Sequence, residues 1–108
     1  MKRLLIAALL FTTPAMANYK PEGWRLKAQE EVRSLYVGLV HFATWSQKSS
    51  FWVTATDKGF SMDPFAQNVI CTALKKTGQP DSEPVIVSVW DSEEFLKGNL
   101  DKIGSATC

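Results

Sequence analysis

Two cysteines, a single histidine and a scatter of carboxylates are the groups with which this chain could do chemistry. Cys71 and Cys108 have only each other to pair with, so a disulfide between them has no competing connectivity. Redox-active pairs sit as Cys-x-x-Cys, a spacing absent here, so the bridge reads as structural. Closing a loop of this length stabilises a fold by about 4 kcal/mol in the chain-entropy description, a large share of a small domain's margin. His41 lies in an apolar run, where a histidine is more often packed than catalytic. A zinc site needs several His or Cys ligands, so neither a metal nor a cofactor is expected. Ser61, His41 and Asp63 supply the residue types of a nucleophilic triad, but nothing like a nucleophile elbow surrounds Ser61. His41, Asp57, Asp63 and Glu93 are the remaining material for acid–base hydrolysis. Glu93 and Glu94 are adjacent carboxylates, and the simpler reading places them in the first turn of a helix. No catalytic residue is assigned, and the chain is read as a protein other than an enzyme.

The N-terminal segment predicts export. Lys2 and Arg3 form a basic region, Leu4 to Phe11 a short apolar run, and Ala15-Met16-Ala17 a small-x-small cleavage site. The apolar run is too short for a permanent membrane anchor. Residues 1–17 are therefore read as a signal peptide cut after Ala17, and residues 18–108 as one domain, periplasmic or secreted. The oxidising compartment agrees with the two cysteines. Without Lys2 and Arg3 the twelve basic residues fall to ten against eleven acidic ones, and the formal charge goes from +1 to −1. No basic patch supports nucleic-acid or anionic-membrane binding.

The elements follow from periodicity and punctuation. Ala28, Val32, Leu35, Leu39 and Phe42 recur at spacings of four, three, four and three, with Tyr36, Val40 and Ala43 beside them, which predicts a helix from about Trp24 to Ala43. The competing division ends that helix near Ser34 and follows it with a strand, because residues 35–45 are apolar on both alternating faces. Residues 51–56 read as a strand, Asp57-Lys58-Gly59 as a tight turn and residues 60–62 as a short returning strand. Asp63-Pro64 starts a helix reaching Gly78, with Asp63 as its cap and Phe65, Val69, Thr72 and Lys76 on one stripe, widened by Ile70, Ala73 and Leu74. Val85 to Trp90 is the clearest strand. Asp91 and Glu94 form a possible capping box for a short helix, Ser92 to Lys97. The last ten residues read as a tail held by the disulfide, with Ile103 and Ala106 beneath it. The expected fold is a small two-layer α+β domain: about three strands packed on two or three helices, with one disulfide.

Trp45, Phe51 and Trp52 flank the polar turn at residues 46–50, a place that is hard to bury. If exposed, they would form an aromatic anchor of the kind that dominates protein interfaces. Export, small size, one disulfide and surplus aromatics resemble the format of small periplasmic inhibitors and immunity proteins, although no motif carries residues over. The expectation is a binding module for a periplasmic protein partner: an inhibitor, immunity or accessory protein. The alternatives are an envelope stress or structural protein with broad weak binding, and a small cell-wall hydrolase.

Overall fold

A computed structural model describes residues 19–35 and 38–108. The expected signal segment and Tyr36 lie outside them. Helix α1 (Trp24–Ser34) buries Ala28 and Val32, four residues apart, as the spacing requires. It does not run on to Ala43. Leu35 is extended, Gly38 sits at φ 98°, outside the helical region, and Val40–Gln47 forms strand β1. The competing division was the right one. The apolar residues of 35–45 suit both periods, and the glycine breaks the helical one.

A hairpin returns β1 into β2 (Ser50–Ala55), pairing Trp45 with Phe51 and Gln47 with Ser50. The next turn forms as expected, with the Gly59 amide donating to Asp57 Oδ1 at 2.9 Å. Residues 60–62 form no returning strand. The Met62 amide donates instead to the Ile103 carbonyl at 2.8 Å.

Helix α2 is three consecutive pieces: an α-helical turn Asp63–Phe65, a π-helical stretch Ala66–Ile70 and an α-helical part Cys71–Lys76. Asp63 makes no cap bond. Its carboxylate accepts from the Ser105 amide at 2.8 Å, which ties the start of the helix to a distant strand. The buried stripe also differs from the expected one. Ala66, Ile70, Ala73 and Leu74 face the sheet, while Thr72 and Lys76 are exposed. The core takes the wholly apolar stripe and leaves the mixed one outside.

Strand β3 (Ile86–Asp91) runs parallel to β2, and residues 87–90 are all buried. Helix α3 (Ser92–Leu96) follows, without the capping box: Asp91 makes no side-chain cap bond, and Glu94 is engaged elsewhere. The expected tail is a fourth strand, β4 (Lys102–Thr107), antiparallel to β3. The sheet order is β1-β2-β3-β4, one strand more than expected, and the two-layer α+β class stands.

Helices α1 and α2 share one face of the sheet. There Val32, Trp45, Phe51, Val53, Ile70, Leu74, Val87 and Val89 meet. Arg25 joins three segments at the rim. It donates to the Lys48 carbonyl at 2.9 Å, pairs with Glu83 at 2.7 Å and lies 4.5 Å over the Trp24 ring. Trp45 Nε1 donates to the Arg25 carbonyl at 2.8 Å. Cys71 and Cys108 are bridged, with Cα atoms 5.3 Å apart, so α2 is fastened to the chain just beyond β4. Ile103 and Ala106 pack on the core as expected.

The bridge closes a loop with a sequence separation of 37. Replacing both cysteines by alanine is expected to cost about 4 kcal/mol in urea unfolding. At Gly104 an added Cβ would lie 2.5 Å from the Met62 backbone carbon. Gly104→Ala is expected to cost about 1–3 kcal/mol by the same measurement, because backbone cannot yield as a side chain does.

Candidate functional site

Side chains alternate across a strand, so each residue between two core positions points to the other face. The register places Thr44, Trp52, Ser88 and Ser105 in one cross-strand row of that face. Phe42, Thr54, Trp90 and Lys102 form the next. The register shifts between Val40 and Phe42, as it also does between Trp45 and Gln47 and between Val89 and Trp90. At the first of these, His41 and Phe42 are both exposed between buried Val40 and Ala43. A bulge of this kind re-aims side chains and is common beside functional sites.

Among the described residues, α3 is the one helix that lies over this face. Its Phe95 ring stands 6.3 Å from Phe42 and 6.4 Å from Trp52, and Trp52 meets Trp90 edge-on at 5.1 Å. Leu96 follows on the same short helix and is 87 % exposed, and Phe42 is 39 % exposed. His41, Phe42, Thr54, Ser92, Phe95 and Leu96 enclose a largely apolar pocket of about 490 Å³. A polar pocket of about 510 Å³ adjoins it, lined by His41, Thr56, Asp57, Asp91, Ser92 and Glu93. His41 and Ser92 belong to both walls. His41 Nε2 and Thr56 Oγ1 are hydrogen-bonded at 2.8 Å, which fixes the ring on the ridge between the two. The arrangement offers an apolar socket with a carboxylate-lined annex.

The expected aromatic anchor is not one surface. Trp45 and Phe51 are buried, 1 % and 0 % exposed, in the core against α1. Trp52 is half-buried on the opposite face. Flanking a turn does not decide which face a side chain takes, and alternation separates Trp52 from its neighbour. Of the four candidate hydrolytic groups, His41, Asp57 and Glu93 line one pocket. Asp63 is bonded to β4 instead, and Ser61 Oγ accepts from the Asp63 amide, so the imagined triad is not assembled. Among the described residues no three His, Cys, Asp or Glu side chains are grouped to hold a metal. The sequence reading puts Phe42 on a helical stripe, where the structure has it exposed on β1, and it does not single out Phe95 or Leu96. The available signal was Phe95-Leu96, two large apolar residues on a helix too short to bury both.

The base of α3 is set by Glu94. Its carboxylate accepts from Asn99 Nδ2 at 2.9 Å and from Lys97 Nζ at 3.3 Å. The Asn99 hydrogen bond first, then Lys97, holds the carboxyl below its ordinary value. A lowered folded-state value means that this contribution is present above the ordinary glutamate range and is lost as pH falls through the lowered one. Asn99→Ala is expected to move the Glu94 titration up toward the ordinary range, as followed by carboxyl NMR. Comparison with protein-family models, with curated proteins and with solved structures finds no match for this chain, so its function is read from its own residues.

Proposed function

We propose that this chain is an exported protein-binding module that docks on a periplasmic partner through the open face of its sheet, as an inhibitor, immunity or accessory protein does. The observation that carries the reading is the apolar pocket between Phe42 and α3, with Leu96 almost fully exposed at its rim. Covering a leucine side chain is worth about 1.5–3 kcal/mol, and a small domain gains nothing in stability by leaving one in water. An apolar rim around a socket, flanked by polar groups, has the layout of an interface centre and its surround. The disulfide is compatible with an oxidising compartment. Among the described residues no helix is long and apolar enough to cross a membrane. Removal of residues 1–17 after Ala17 belongs to the same reading.

The test uses the oxidised mature domain and its Leu96→Asp variant as paired baits in periplasmic extract. Leu96 is 87 % exposed, so the variant is expected to melt with the parent. One stoichiometric partner held by the parent, and bound at least about tenfold more weakly by the variant, is expected of a residue at an interface centre. A partner retained equally by both baits overturns the assignment of this face. A spread of unfolded proteins on both would mark the broad binding of an envelope stress protein instead.

A further inference from the structure

The open face has an electrical direction as well as an apolar socket. We propose that its occupant is a protein segment presenting a large apolar side chain with a lysine or arginine beside it; this rests on the docking reading above. The apolar pocket and the polar pocket share His41 and Ser92, so they adjoin across a common wall. The polar end carries Asp57, Asp91 and Glu93, and among the described residues no lysine or arginine lines it. The ion pairs among the described residues are Arg25–Glu83, Lys75–Asp81, Lys76–Glu31 and Lys97–Glu94. None of them uses these three carboxylates. Among the described residues Asp57 accepts only the Gly59 amide of its own turn. Two cations of this face are already placed: Arg33 lies 5.7 Å over the Phe42 ring and donates to the Ala43 carbonyl at 3.0 Å, and Lys102 lies 5.4 Å over the Trp90 ring.

This distribution selects a partner. An acidic segment would set like charges against the annex, and a nucleic acid would do so along its whole backbone. A wholly apolar segment would fill the socket and leave three carboxylates uncompensated. In an extended segment, residues two apart point to the same side about 7 Å from each other. That lets one side chain enter the socket while the other reaches the annex across the His41 ridge. A lysine or arginine there gains from the carboxylates without leaving water fully, as flexible cationic side chains do at rims.

The experiment titrates the labelled mature domain by NMR with two capped decapeptides. Each has one tryptophan in a serine-glycine background, and they differ only in carrying lysine or glutamate two residues after it. The lysine peptide is expected to bind about fivefold more tightly, the scale of an exposed ion pair, with the preference fading at high salt. The shifts should fall on Phe42, Thr54 and Phe95. The double variant Asp91→Asn with Glu93→Gln should erase the preference while the tryptophan still binds. Equal affinity for the two peptides, or a preference for glutamate, overturns the charge proposal and leaves the docking face standing. Binding by neither peptide, or undiminished binding to Leu96→Asp, overturns the docking face and the charge proposal with it.

Discussion

Parallel strands cannot be joined by a tight turn, and the pairing of β2 with β3 is the constraint from which the rest of this molecule follows. The chain must leave the sheet, cross it and come back, and α2 is the crossing. Once α2 lies on one face, α1 has an apolar stripe to bury and a neighbour to bury it against. Both long helices therefore gather on the same side. The disulfide and the Asp63–Ser105 bond then hold the crossing helix to the chain around β4. What remains for the opposite face is α3, five residues long, over a sheet four strands wide. The half-covered aromatic face is the geometric remainder of a crossover made on the other side.

Parts of this were legible in the sequence for local reasons. Residues 85–90 announce a buried strand through β-branched composition, the Asp63-Pro64 pair marks a helix start, and two cysteines have one way to pair. Other parts depend on contacts that no local pattern encodes. Lys102-Ile-Gly-Ser-Ala-Thr has modest strand propensity and becomes a strand because β3 offers it an edge. The α1–β1 boundary hides in a run that satisfies two periods at once. The second glycine that matters, Gly104, is a matter of close approach to Met62 and not of turn geometry.

The site divides in the same way. His41, Asp57 and Glu93 could be noticed by type, and they do converge on one pocket. Their convergence comes from the bulge at His41 and from the placement of α3 on the sheet, both products of pairing and packing. Trp45 and Phe51 show the converse. They are conspicuous by type, yet they are spent on the core, one of them holding the Arg25 carbonyl through its indole. In a domain this small most large aromatics must serve as core, and the informative ones are the few that the core does not need.

The segment at Met62 and Asp63 has one further consequence. It places a backbone amide on the Ile103 carbonyl and a carboxylate on the Ser105 amide, at the border of the sheet beyond β3. Those are the groups with which an edge strand recruits another chain. At β4 they are already occupied, and a negative charge sits where an incoming strand would have to dock. Strand addition is hindered at those two positions of the edge, so the bonds that seat the start of α2 also guard the border of the sheet.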